Sequence, residues 1–321
     1  MQFEQEGYLL VRGLLDADRD LRPVFDEYGE VLDRLARQMF DDSEILSAHE
    51  ELPFSERFTA CTKESGRILA QHFDCSLPQA GTTTESPIWV GPRVFWTLRN
   101  ERLLDVVEDL VGPEIYSNPV QHIRIKPPQW ALPESRIDPH IGGAKGGFDA
   151  GVTPWHQDNG VVLPEADETN MLTVWFPLTR ATVKNGCLQV IPRSHRDGIL
   201  HHCRTISGLE VPDRFLDLDN ATPMPMEPGD VLFLTRRTCH ASLPNQSDDV
   251  RISFDIRYNP IGQNTGREIF PGFVARSRAN PHIELRDPAA WARSWHDARE
   301  RLAVDNIPHY NRWRVNDGVC A

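Results

Sequence analysis

Val250-Arg251-Ile252-Ser253-Phe254-Asp255-Ile256-Arg257-Tyr258 alternates between apolar and polar side chains without a break. A strand turns successive side chains to opposite faces, so Ile252, Phe254 and Ile256 share one face and Arg251, Ser253, Asp255 and Arg257 the other. The apolar face suits packing on helices and the polar face suits the wall of a cavity. Upstream, the same short-period pattern recurs at Gln121 to Lys126, Met171 to Leu178, Cys187 to Ile191 and Val231 to Leu234. Asn185-Gly186 marks a tight turn between two of these runs, and Pro228-Gly229-Asp230 delivers the chain into another. The middle of the chain therefore reads as one β-sandwich or barrel.

Helical periodicity lies on either side of it. From Leu21 to Met39, apolar residues fall at Leu21, Val24, Phe25, Tyr28, Val31, Leu32, Leu35 and Met39, the stripe of an amphipathic helix. Pro23 is tolerated only in the first turn, so the helix is expected to start near Asp18 or Asp20, either of which can cap it. Asn100 caps a second helix that runs to Val111 and stops at Gly112-Pro113. Asp287 caps a third that reaches Leu302, with Trp291, Trp295 and Ala298 facing the core. The expected fold class is mainly β with flanking helices, in a single domain. Residues 1–114 form a helical N-terminal support, 115–260 the β core, and 261–321 a C-terminal extension with a helix. Glycines crowd Ile141 to Gly151, so the loop from Trp130 to Gly151 is a candidate lid.

Composition narrows the partners. The 321 residues carry 34 Lys and Arg against 47 Asp and Glu, a formal charge of −13. That balance, with no local basic patch, argues against nucleic acid and anionic membrane surfaces as partners. The N-terminus is acidic and lacks a long apolar run, so it reads as neither a secretory signal nor a membrane span. The six cysteines form no C-x-x-C pair and no regular framework, which makes a reducing cytoplasm the simpler setting. No sequence feature specifies a subunit stoichiometry.

The chemistry gathers around Pro154-Trp155-His156-Gln157-Asp158. On an extended chain His156 and Asp158 project from one side, and one further imidazole completes two histidines and a carboxylate, the set that holds non-haem Fe(II) with positions left open. H-x-D alone is an ordinary pattern. It gains weight because His240, in Thr238-Cys239-His240-Ala241-Ser242, follows a turn and a strand and so lies at a strand end. Arg251 follows eleven residues later. Its guanidinium can grip a dicarboxylate cosubstrate through two parallel hydrogen bonds; the plainer reading is a surface charge beside Asp248-Asp249.

Other residues have mostly structural readings. Adjacent side chains on a strand point apart, which weighs against a metal role for His201-His202-Cys203. His195 reads as a turn residue, and Cys239 as a small buried side chain with no base to activate it. Gln157 points away from the metal, Lys126 anchors a Pro-Pro turn, and Arg257 and Asp255 either touch substrate or pair with each other. Trp155 and Asn159 are candidates for the border of the substrate cavity.

The ordered combination Phe3-x-x-x-Gly7-Tyr8, Ile125-Lys126-Pro127-Pro128, Trp155-His156-Gln157-Asp158, Asn185-Gly186-Cys187-Leu188, Ile191-Pro192-x-Ser194-His195, Gly229-Asp230-Val231 and His240-x-Ser242 with Arg251 resembles the phytanoyl-CoA dioxygenase (PhyH) family of Fe(II)- and 2-oxoglutarate-dependent oxygenases. The resemblance implies a double-stranded β-helix, a jelly-roll or cupin-like core braced by N-terminal helices. It implies His156, Asp158 and His240 as iron ligands, Arg251 and Ser242 as partners of the far 2-oxoglutarate carboxylate, and Trp175 and His122 as further cosubstrate contacts.

The implied reaction spends O2 and 2-oxoglutarate, releases succinate and carbon dioxide, and hydroxylates a C–H bond of a small molecule. Related halogenases replace the carboxylate by a small residue, so Asp158 argues against halogenation. Desaturation, epoxidation and ring formation use the same ligands. Two other classes are a cupin-like iron dioxygenase that does not use 2-oxoglutarate, against which Arg251 and Ser242 argue, and a non-catalytic metal-binding protein on the same scaffold. No basic cluster answers to the phosphates of coenzyme A.

Overall fold

The first long helix is opened by Asp16 rather than by Asp18 or Asp20. In the computed structural model, which describes residues 2–78, 81–132, 152–205, 208–304, 312–313 and 317–320, the Asp16 carboxylate accepts from the backbone N–H groups of Asp18 and Arg19. A π turn over Ala17–Leu21 follows it. Asp20 instead accepts from the Asp16 N–H and pairs with Arg19. The helices are α1 (Gln2–Glu6), α2 (Arg22–Asp41), α3 (Phe54–Ser65), α4 (Pro92–Leu98), α5 (Glu101–Val111) and α6 (Pro288–Val304). Asn100 caps α5 through its side chain, as expected. Helices α1, α3 and α4 lie outside the stretches that periodicity marks as helical.

The strands are β1 (Tyr8–Val11), β2 (Glu114–Lys126), β3 (Leu172–Pro177), β4 (Leu188–Val190), β5 (Cys203–Thr205), β6 (Gly208–Glu210), β7 (Thr222–Met224), β8 (Val231–Thr235), β9 (His240–Ser242), β10 (Arg251–Pro260) and β11 (Phe273–Ser277). Six of them form the major sheet in the order β1-β8-β3-β10-β2-β11, and a smaller sheet has the order β7-β4-β9. The N-terminal support is thus not wholly helical, because β1 is an edge strand of the major sheet, paired with β8. Strand β2 begins seven residues earlier than its alternation suggests, since Pro119 has no N–H to give and the pairing slips there. Asp255 faces His122 while Arg257 faces Asn118.

The outer face of the major sheet presents Val174, Phe176, Phe233, Ile252, Phe254 and Ile256 to the helices, in one large core that also takes in Tyr28, Phe58, Phe95, Trp291 and Trp295. A second, smaller core lies between the sheets, built from Trp175, Leu188, Val190, Met224, Leu232 and Leu234. This is the two-sheet arrangement of a double-stranded β-helix with helices on one side. Gly186 lies at a turn with φ +87, where a side chain would run into the Leu243 carbonyl and the Lys126 stem. The expected lid lies outside the described residues except for Trp130, Ala131 and Leu132.

The cysteine reading is corrected at one pair. Cys203 and Cys320, separated by 117 positions, form a disulfide. Cys61, Cys75, Cys187 and Cys239 are free and buried.

Candidate metal centre and cosubstrate cleft

His156 and His240 are brought face to face by an isolated antiparallel bridge in which each backbone N–H donates to the other residue's carbonyl at 3.0 Å. Their ring centroids stand 4.2 Å apart. Past His156 the chain leaves the extended conformation for a 3-10 turn at Asp158–Val161. Gln157 makes that bend rigid. Its Nε2 donates to the carbonyls of Gly198 and Arg237, its Oε1 accepts from the Leu200 N–H, and its backbone N–H donates to Nε2 of His202. Gln157 therefore points away from the histidines, as the alternation indicates.

Each imidazole is also fixed in its tautomer. His156 Nδ1 lies 2.8 Å from the Pro154 carbonyl and His240 Nδ1 lies 2.9 Å from that of Thr238. A carbonyl only accepts, so Nδ1 carries the proton and Nε2 keeps its lone pair. Those Nε2 atoms stand 3.9 and 4.0 Å from the two oxygens of Asp158. The gaps are too long for hydrogen bonds and suit three ligands around one ion at about 2.0–2.2 Å each. One ligand atom from each residue lies within 4.8 Å of the other two. Burial, with a smaller push from His240, lowers the His156 pKa to about 3, which keeps it a neutral donor at ordinary pH.

Asp158 is held from behind by residues that the sequence did not single out as its partners. Its Oδ1 accepts from Arg257 Nε and Nη2 at 3.1 and 2.5 Å, and its Oδ2 accepts from the Thr173 hydroxyl. Burial alone would raise this carboxyl's pKa; the Arg257 guanidinium, then His240, His156 and the Thr173 bond, outweigh it and leave the group ionised. Arg257 also pairs with Asp255 at 3.1 Å, one of its two expected roles. Cross-strand register explains the grouping, since Arg257 stands opposite Thr173 and Asp255 opposite Trp175.

Arg251 is buried, so its reading as a surface charge fails. Its guanidinium carbon lies 5.5 Å from the centroid of the Trp175 ring, it donates to the Ser253 hydroxyl, and its Nε has no partner. Burial pushes its pKa down to about 10, so it remains a cation at neutral pH, and among the described residues no carboxylate pairs with it. Such a cation is costly unless an anion joins it. Lys126 stands directly opposite Arg251 and, rather than anchoring a turn, reaches the Ser242 hydroxyl at 2.8 Å and the Leu243 carbonyl at 2.5 Å. Ser242 Oγ accepts from the Thr153 N–H as well, leaving its own hydrogen to donate. His122 shares this inner face but lies opposite Asp255, with its Nδ1 on Asp74 at 2.8 Å.

Cys239 is buried, and its thiol pKa is pushed up to about 11 by that burial, so it is inert. His195 reaches the Glu4 carbonyl from a 3-10 turn.

The PhyH family model, described as phytanoyl-CoA dioxygenase, matches residues 3–253. The chain belongs to the PhyH family. A 1-deoxypentalenic acid 11-beta-hydroxylase from Streptomyces arenae is 34% identical over 127 residues, covering 36% of this chain and 44% of the relative. A methylphosphonate hydroxylase from Gimesia maris is 32% identical over 142 residues, covering 44% and 48%. The chain thus spans about half the length of these two curated relatives. Phytanoyl-CoA dioxygenase domain-containing protein 1 of Danio rerio is 27% identical over 270 residues, with 78% and 85% covered. Among solved structures, the non-heme monooxygenase ThoJ superposes with a TM-score of 0.57 at 18% identity over 94% of this chain and 96% of its own, which shows that the two share a fold.

Proposed function

We propose that this PhyH-family chain is an Fe(II)- and 2-oxoglutarate-dependent dioxygenase that hydroxylates a C–H bond of a small organic molecule, consuming O2 and releasing succinate and carbon dioxide. The observation that carries the reading is the buried Arg251 cation, with no carboxylate partner among the described residues, on the same sheet face as Arg257, whose partner Asp158 is ionised beside two Nε2 atoms that keep their lone pairs. His156, Asp158 and His240 would hold the iron through one face, leaving the opposite positions open. Arg251, Ser242 and Lys126 would take the far carboxylate of 2-oxoglutarate, with Trp175 as its wall. His122, engaged with Asp74, would reach the cosubstrate only from its remaining edge. Iron, when bound, supplies O2 activation and redox chemistry that no side chain here can. The protein's own part is ligation, orientation and exclusion of water.

Hydroxylation is separated from desaturation, epoxidation and ring formation by the product's mass and structure, because all of these share the ligand set. The substrate class is part of the proposal. Two relatives, alike over short spans, are named for a carboxylic acid and a phosphonate. On this chain's inner face Arg124, 42% exposed and ion-paired at 3.6 Å with Asp255, is the cation that would meet such an anion. No helix of the described residues is long and apolar enough to cross a membrane. Four buried free thiols fit the cytoplasmic setting that we also propose, and the Cys203–Cys320 bond is the feature that pulls the other way.

The test is conversion of 2-oxoglutarate to succinate under air with Fe(II), followed by a screen of carboxylates, phosphonates and neutral analogues for stimulated turnover. Absence of turnover, together with absence of iron-dependent 2-oxoglutarate binding without oxygen, would sink the oxygenase reading. A preference for neutral compounds would remove the anionic substrate class.

A further inference from the structure

We propose that His201, Cys203 and Cys320 form a second metal site, for a soft divalent cation of the zinc class, that takes the place of the disulfide when the pair is reduced. The ligand atoms of the three residues lie within 4.8 Å of one another, and they share none with the iron centre. His201 Nε2 is buried without a hydrogen-bond partner and stands 3.5 Å from Asp317 Oδ2, a fourth donor at the same place. Two thiolates, an imidazole and a carboxylate or water make a tetrahedral set for zinc. The adjacency of His201 and His202 does not count against this, because only His201 is used. His202 turns the other way, onto the Gln157 N–H.

The exchange balances. An external dithiol breaks the S–S bond and is itself oxidised to a disulfide, so two electrons and two protons pass to Cys203 and Cys320. The cation then displaces both thiol protons to water as it binds the two thiolates.

Either cross-link fastens the same piece of chain. Trp313 stacks on the His202 ring at 5.4 Å and donates to the Gly160 carbonyl at 2.6 Å, and Arg312 pairs with Asp167. The C-terminal segment thereby braces the outside of the loop that carries His156 and Asp158. The disulfide holds it under oxidising conditions, and the metal holds it under reducing ones.

The test uses full-length protein stripped of metal, with Co2+ as the probe. Thiolate-to-cobalt charge-transfer absorption reports sulfur ligation alone, so the iron centre, which contains no sulfur, stays silent. After reduction by a dithiol and its removal by gel filtration, Co2+ in excess of both metal sites should give the band, and Zn2+ should abolish it. The oxidised protein should give none. Cys203→Ser and Cys320→Ser should lose the band while keeping the circular dichroism of the parent. His201→Ala should weaken Co2+ binding at least about tenfold, since loss of even an outer partner of a metal site costs that much. No band from the reduced protein, a band that persists in the serine variants and so arises from other thiols, or unchanged affinity in His201→Ala would each overturn the proposal.

Discussion

Asp158 is the residue on which opposing demands meet: it must be anionic to bind a cation, yet it is buried, and Arg257 and Thr173 already occupy both of its oxygens. Arg257 thus acts as a stand-in countercharge while no metal is bound and as an orienting partner when one is. Arg257→Leu should cost the metal-free protein about 3–5 kcal/mol in denaturant unfolding, the usual penalty for orphaning a buried charge. Added divalent metal should recover part of that loss, and Arg257→Lys should lie between; equal penalties with and without metal would refute the pairing. Arg251 presents the converse case, a buried cation with no carboxylate partner among the described residues. Arg251→Ala should raise the KM for 2-oxoglutarate about tenfold to hundredfold, while stability in the absence of cosubstrate holds or rises because an unpaired charge has gone. Parallel losses of stability and binding would show Arg251 to be structural.

At the scale of elements, the loop between His156 and Val161 depends on a neutral His202, whose Nε2 accepts from Gln157 and whose Nδ1 faces the Leu200 carbonyl. Burial lowers the His202 pKa from 6.5 to about 4. Between those values the unfolded chain binds the proton and the folded one does not, so stability present above pH 6.5 drains away as pH falls toward 4, by about 3 kcal/mol at most. His202→Gln should flatten that part of the stability profile, as followed by urea unfolding at several pH values; an unchanged slope would assign the acid sensitivity elsewhere. Elements of this kind were the least legible in the sequence. The alternation of β10 and the Asn100 cap of α5 are visible because they rest on local chemistry repeated over several residues. Strand β9 is three residues long, and His156 joins the small sheet by a single bridge, so pairing partners far along the chain create them. The three proposed ligands could be named from their spacing and from the family resemblance. The grip of Thr173 and Arg257 on Asp158, the reach of Lys126 to Ser242 and the joining of Cys203 to Cys320 depend on cross-strand register and chain return, which no local pattern encodes.

Across the whole molecule, apolar burial and charge are segregated. The large core sits between the outer face of the major sheet and the helices, whereas the inner face holds Lys126, Asp158, Arg251, Asp255 and Arg257, all buried. Folding therefore draws its main driving force from one side of the sheet and bears the electrostatic cost of burying charged groups on the other. Ligands that neutralise the inner face should accordingly stabilise the entire fold, and in a fixed order. A divalent metal at a hundred times its Kd adds about 2.7 kcal/mol, seen as a higher melting temperature, and chelation removes it. Under anaerobic conditions 2-oxoglutarate should add a second increment only once metal is bound, because one end of it needs the ion and the other needs Arg251. His156→Ala should abolish both increments, while Arg251→Ala should keep the first and lose the second. An increment from 2-oxoglutarate in metal-free His156→Ala would show the two sites to be independent and would break the link between Arg251 and the metal centre.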